Sequence, residues 1–338
     1  MDLAILSPPL SQQARRLFEV AEQLAPGSVC HLTFASPDED RVTLQDNTLL
    51  WNGIDLRTVQ TVYIHGLAYA DPPLPASVGV QDWGLWQARH VEEQQRFSFL
   101  FSALLHLQRW GNRVIPTREA LLHAFLLPTW LQEIRRSGIR VPALLCSNEG
   151  ASVEDFTANN RAVVWRPTTG RAAWQWFGAK QRRHLIALDR PPVLLAEVVP
   201  GPLMRAYFVG GKPILVLRQQ LPRREVEALE GFCSTELPAY LDEVGRTMQG
   251  TLGIEWGMVL FVEKEGKPWI YDLDPDPFYG DLPVSYANYL HQALSAWLLG
   301  RPTGELVPPV GWEDRATLFQ RRMLQILFDM EESKLRPE

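Results

Sequence analysis

The run Tyr271-Asp272-Leu273-Asp274-Pro275-Asp276-Pro277 carries the densest chemistry in the chain. An apolar stretch over Pro268–Asp274 leads into it, and in an extended strand residues i and i+2 point the same way. Asp272 and Asp274 therefore aim two carboxylates at one spot, and the prolines stop the strand there. Two convergent carboxylates in a partly dry place repel each other unless a cation or a proton lies between them. Hard oxygen ligands of this kind suit Mg2+, which is held by one or two carboxylates together with substrate phosphates. Taken alone, the run also reads as a solvated acidic turn.

Two other segments could meet it. In Ala162-Val163-Val164-Trp165-Arg166-Pro167-Thr168-Thr169-Gly170-Arg171 an apolar strand delivers Arg166 at its end, followed by a turn of small residues. A guanidinium held there can fork onto phosphate oxygens, or simply form a surface ion pair. In Leu194-Leu195-Ala196-Glu197-Val198-Val199-Pro200-Gly201 a strand runs into a turn and re-enters as a strand that opens near Arg205. Other chemistries lack their residues. The seven histidines are isolated, with no H-E-x-x-H, and no serine sits in G-x-S-x-G. Cys30, Cys146 and Cys233 are far apart, which excludes a disulfide framework and a thiol zinc knuckle and fits a reducing compartment.

The elements that must position these side chains are legible in outline. The chain has 338 residues, enough for two domains or three compact lobes, and 46% apolar with 21% charged residues describes an ordinary globular protein. The first part reads as α/β: a strand at Leu3–Leu6, a helix from Ser11 to Leu24, strands at Val29–Phe34 and Val59–His65, and a hairpin around Gln45-Asp46-Asn47. A long helix from about Leu85 to Trp110 and a strand at Arg113–Ile115 follow. Pro128 predicts two short helices over 118–137, the second opening on that proline and ending at Gly138. Strands are then expected at Val141–Cys146, Ala162–Arg166, Val193–Val198, Arg205–Val209, Pro213–Arg218, Trp256–Glu263 and Pro268–Asp274. Tight turns belong at Gly210-Gly211 and Glu265-Gly266. Helices are expected at 237–252, 285–299 and 313–330. A net charge of −6 offers no bulk attraction for nucleic acid. Neither a signal peptide nor a membrane span is expected, which points to a cytoplasmic protein.

In this order, the three segments resemble an ATP-grasp ligase. Arg166-Pro167 looks like the family's Lys-Pro, and Glu197 with Val198 and Val199 looks like the hinge that reads adenine. Gly201-x-Leu203-x-Arg205 looks like Gly-x-Asp-x-Arg, and Asp272-x-Asp274-Pro275 like Glu-x-Asn-Pro. The chain is most similar to the microviridin-type maturases of ribosomal peptides, over roughly residues 110–330. The resemblance implies an α/β N-terminal domain (1–115) followed by two α+β lobes clasping a nucleotide cleft, the lid lobe at 116–200 and the C-terminal lobe at 201–338. It implies ATP and Mg2+ as cofactors. Asp272 and Asp274 would hold the metal, and Glu197, Val198, Val199, Arg166 and Arg171 the nucleotide. Arg205 and Arg218 would steady an acylphosphate that an amine or hydroxyl then displaces. A peptide or amino-acid substrate is implied, with no nucleic-acid or membrane partner. The oligomeric state stays open, a homodimer included.

The sequence also departs from that pattern. Leu127 stands where the family's first lid lysine belongs, Leu203 where its Gly-x-Asp-x-Arg aspartate belongs, and Leu260 where a third metal ligand belongs. Glu255, Glu263 or Asp276 would have to replace that ligand. A second expectation follows, a degenerate ATP-grasp protein that serves as a peptide-binding or regulatory module. A third is a kinase that stops at phosphoryl transfer.

Overall fold

The computed structural model describes residues 1–34, 40–67, 80–168, 174–186, 191–220, 231–303, 306–310 and 312–314. The chain opens with β1 (Leu3–Ser7), α1 (Gln12–Leu24), β2 (Val29–Thr33), β3 (Val42–Gln45), β4 (Thr48–Trp51), β5 (Ile54–Asp55), β6 (Thr61–Ile64), α2 (Val80–Arg109) and β7 (Arg113–Ile115). Next come α3 (Arg118–Leu121), α4 (His123–Arg136), β8 (Leu144–Ser147), α5 (Gly150–Asn159), β9 (Val163–Pro167), β10 (Gln175–Trp176), α6 (Ala179–Ile186) and β11 (Val193–Glu197). The last stretch holds β12 (Leu203–Val209), β13 (Lys212–Gln220), β14 (Gly231–Ser234), α7 (Tyr240–Leu252), β15 (Trp256–Lys264), β16 (Lys267–Asp274), α8 (Val284–Leu298) and β17 (Trp312–Asp314). Among the described residues no helix is long and apolar enough to cross a membrane.

The first sheet is parallel, in the order β2-β1-β6-β7. A parallel sheet is covered on both faces, which explains why β1 and β6 are buried at every position. Alternation divides β1 between two cores. Leu3 and Ile5 pack with α1 and α8, while Ala4 and Leu6 pack with Leu100, Ala103, Leu104 and Leu107 of α2. Ser11 caps α1 by accepting the Ala14 N–H. Because α1 also lies against α8, the first sheet shares one core with the last part of the chain.

Two antiparallel sheets face each other beyond it. The smaller has the order β10-β9-β11-β8, the larger β16-β15-β12-β13-β14-β17. In the larger sheet, Met204, Ala206, Phe208, Val216, Val259, Phe261, Ile270 and Leu273 share one face and pack under α4 and α7. Tyr207, Val209, Leu215, Leu217, Phe232 and Trp256 share the other, and they pack against α8. The two predicted tight turns form with φ above zero at Gly210, Gly211, Glu265 and Gly266, the backbone that hairpin turns of this kind require.

Two expectations need correction. Pro128 does not open a helix; it lies inside α4, which begins at His123. The proline removes one backbone bond, a cost of about 3 kcal/mol. Burial of Leu127, Trp130, Leu131 and Ile134 on the same helix offsets it. The helix expected at 313–330 does not start there either. Trp312–Asp314 is a strand, paired with β14 through Gly231↔Asp314 and Cys233↔Trp312, so it satisfies backbone groups at an otherwise open sheet edge. Residues 315–330 lie outside the described residues. The strand expected at Val141–Cys146 begins only at Leu144, after Pro142.

One close approach gives a direct test of the packing. A Cβ on Gly245 of α7 would fall 2.0 Å from the Gly211 carbonyl oxygen and 3.0 Å from Phe208. Helix and hairpin meet there backbone to backbone, and neither can yield alone. Gly245→Ala should therefore lower the unfolding free energy by about 1–3 kcal/mol, the usual cost of overpacking. A urea midpoint equal to that of the parent chain would show that the approach is not rigid.

Candidate functional site

The cleft between the two antiparallel sheets is built row by row. Register places Arg205 of β12 opposite Leu260 of β15, and Leu260 opposite Asp272 of β16. The next row on that face is Tyr207, Met258 and Asp274. Asp272 and Asp274 therefore share one face, as alternation requires, and Arg205 shares it with them. Arg205 donates from Nη1 to Asp281 Oδ2 at 3.3 Å and lies 5.2 Å from the centre of the Phe232 ring.

The smaller sheet supplies the opposite wall. β9 delivers Arg166, which is buried, and its Nη1 donates to Asp272 Oδ2 at 2.6 Å. This ion pair joins the two sheets across the cleft. The Arg166 guanidinium also lies 5.7 Å from the centre of the Trp174 ring. Burial pushes the Asp272 carboxyl up to about 6; the Arg166 charge opposes that shift, and Asp274 beside it adds to it.

Beside this pair the wall is apolar. Ala196, Val199, Val262 and Tyr271 are buried together, with Leu144, Val164, Trp174, Leu203, Leu260 and Trp269 around them. At its edge runs the segment Glu197-Val198-Val199, where β11 ends. Val198 N–H is bonded to Ala162 C=O at 2.9 Å, so that residue is held by the neighbouring chain. The Glu197 carbonyl and the Val199 N–H both turn toward Tyr271: its hydroxyl donates to the former and accepts from the latter, each at 2.7 Å. Gly201 lets the chain pass β15 this closely. Its φ is 156°, and a Cβ there would stand 2.3 Å from the Glu263 carbonyl oxygen.

The structure thus gathers Arg166, Arg205, Asp272, Asp274 and the Glu197–Val199 backbone around one cleft. Arg218 does not join them. It pairs with Met204, so it stands on the sheet face opposite Arg205, and it is exposed there. Arg171 lies outside the described residues. None of the three stand-ins for a third metal ligand turns to the cleft. Glu255 pairs with Arg113 at 3.2 Å, Glu263 accepts from Tyr240 Oη at 2.5 Å, and Asp276 is engaged with His65 and Gly66. Leu127, on α4, is buried in the core. Among the described residues no group of three or more His, Cys, Asp or Glu side chains converges to hold a metal.

Tyr271 and Asp281 are candidate-site residues that sequence reasoning missed. Alternation alone sends Tyr271 away from Asp272. A bulge reverses this: Leu260 pairs with Asp272 and Phe261 with Ile270, leaving Tyr271 as the extra residue.

Two antiparallel sheets facing each other, preceded by a parallel α/β sheet, form the ATP-grasp fold. Solved structures carry the same architecture. The ATP-grasp ligase PsnB, complexed with a minimal precursor, Mg and ADP, superposes with a TM-score of 0.72 at 19% identity, covering 88% of this chain and 97% of that one. The macrocyclase MdnC of Microcystis aeruginosa MRC, bound with its precursor peptide MdnA, gives 0.70 at 15% identity, covering 89% and 100%. A RiPP-associated ATP-grasp ligase of Chryseobacterium gregarium, in complex with ADP and a leader and core peptide, gives 0.65 at 13% identity, covering 89% and 97%. No family model and no curated protein matches the chain.

Proposed function

We propose that this chain is an ATP-dependent ligase that activates a carboxylate of a peptide and joins it to an amine or a hydroxyl. The observation that carries the reading is the meeting of Arg166 and Asp272 across the cleft, with Arg205 in the same row and a two-atom backbone hinge at its edge. The domains would be 1–115, 116–200 and 201–338. The precursor peptides held by PsnB and MdnC and the leader and core peptide held by the Chryseobacterium gregarium ligase support a peptide substrate, and the ADP, AMPPNP and Mg held by PsnB, with the ADP of the Chryseobacterium gregarium ligase, support ATP with Mg2+.

The residues present fit such a group in part. The apolar wall around Val199 and Leu203 suits a flat base, and two carboxylates suit a hard cation. When bound, ATP with Mg2+ supplies the phosphoryl group that activates the carboxylate as an acylphosphate. Arg166 and Arg205 would hold phosphate oxygens, and Asp272 and Asp274 the metal. Glu197 C=O and Val199 N–H would read the base. The chain's contribution is position and charge neutralisation.

One observation favours the second reading, a peptide-binding module on an eroded ATP-grasp frame: the apolar Leu260 separates Arg205 from Asp272 in the row where a third carboxylate would complete the metal site. Leu260→Asp tests both readings. On the ligase reading the parent chain binds ATP only with Mg2+, and the variant binds it about 10-fold tighter, the gain of one charge-assisted contact. Calorimetry with and without Mg2+, together with ADP release that depends on an added amine, checks this. No nucleotide binding by either chain would leave the module reading standing.

A further inference from the structure

Tyr271 closes the base-reading edge of the cleft with a single oxygen. A phenol hydroxyl both donates and accepts, and this one gives its proton to the Glu197 carbonyl and takes the Val199 N–H, each at 2.7 Å. The exposed edge of adenine does the same with two atoms, its amino group donating and the adjacent ring nitrogen accepting. Both backbone groups therefore already have the partners that an adenine would bring. The ring is held in place: it is buried, and Trp174 meets it edge-on at 6.1 Å between centroids. The phosphate end of the cleft is likewise paired from within, Arg166 to Asp272.

We propose that Tyr271 is a base-mimicking plug, so that a nucleotide enters the hinge only by displacing its hydroxyl, and only a base with a donor beside an acceptor repays the displacement. The inference rests on the reading that this cleft holds a nucleotide. The bulge is what makes such a device workable. Tyr271 has no partner residue in the β15–β16 register, so its side chain can leave without breaking the pairs at Asp272 and Ile270.

The test is Tyr271→Phe in the full chain, titrated calorimetrically with adenosine, Mg·ATP and Mg·GTP. The variant keeps the apolar ring and frees both hinge groups. Adenosine and Mg·ATP should bind roughly 10-fold tighter than to the parent, the worth of about two neutral hydrogen bonds that no longer compete. Mg·GTP, whose base presents the opposite pattern, should gain nothing. Binding of adenosine by the variant but not by the parent also supports the plug. Equal, measurable affinities in both chains overturn the plug and leave the nucleotide site intact. No binding of either adenine ligand by either chain overturns both. A gain for Mg·GTP equal to that for Mg·ATP overturns the claim of base selection. Should Tyr271→Phe fail to fold, Trp174→Leu removes the ring that pins Tyr271 and should give a gain of about 3-fold in the same direction; no gain there overturns the plug as well.

Discussion

Replacing Asp276 with alanine should cost about 3–5 kcal/mol of stability, the loss expected when one partner leaves a buried, charged hydrogen-bond network. Asp276 is fully buried. Its Oδ1 lies 2.6 Å from His65 Nδ1 and 3.5 Å from the Tyr63 hydroxyl, and its Oδ2 accepts the Gly66 N–H at 2.7 Å. A carboxylate only accepts, so the imidazole proton sits on Nδ1. All three partners belong to the first part of the chain, in or just after β6, whereas Asp276 follows β16. The contact thus ties the parallel sheet to the strand that carries Asp272 and Asp274. Gln13 reinforces it from α1, donating to the Pro277 carbonyl and accepting the Tyr279 N–H, both at 3.0 Å. The alanine variant leaves three donors without this acceptor. Asp276→Asn keeps the shape and should lose less. Urea unfolding followed by two probes, far-ultraviolet circular dichroism and tryptophan fluorescence, checks the claim. The variant's transitions should move to lower urea and separate from one another, because the two parts no longer unfold together. A midpoint within experimental error of the parent would show that the tie carries no load.

Arg166→Ala should weaken Mg·ATP binding by roughly 10- to 150-fold, since a charge-assisted contact to phosphate contributes about 1.5–3 kcal/mol. The residue is buried, and its guanidinium already sits beside the carboxylate that would hold the metal. Arginine stays charged at any working pH and is weakly hydrated for a cation, so it can move from carboxylate to phosphate with little desolvation. Arg166→Lys should recover much of the loss. The alanine variant also leaves Asp272 without that guanidinium, with Asp274 nearby on the same face. Its carboxyl should then titrate higher still. Calorimetric titration of the three chains reads out the affinities, with circular dichroism as the check on folding. Unchanged affinity in a folded Arg166→Ala variant would remove Arg166 from the nucleotide site.

Much of this arrangement was legible in the residues alone. The apolar run closed by prolines marked β16, and its alternation put Asp272 and Asp274 on one face. The segment after Glu197 read by itself only as two strands and a turn, its role as a hinge being what the resemblance implied, while Gly210-Gly211 and Glu265-Gly266 marked the hairpins. These signals are local: a strand's period and a turn's φ depend on a few consecutive residues. What lies across a gap in sequence was not legible. Arg166 and Asp272 are separated by 106 positions and His65 and Asp276 by 211, and no periodicity encodes such pairs. Arg205 and Arg218 looked equivalent as strand-borne cations, but strand register sent them to opposite faces. Tyr271 looked like a residue facing away from the carboxylates until a bulge against β15 turned it toward the hinge. Each strand's own pattern determines which residues alternate. Only the neighbouring strand, through its register and its irregularities, decides which of them meet.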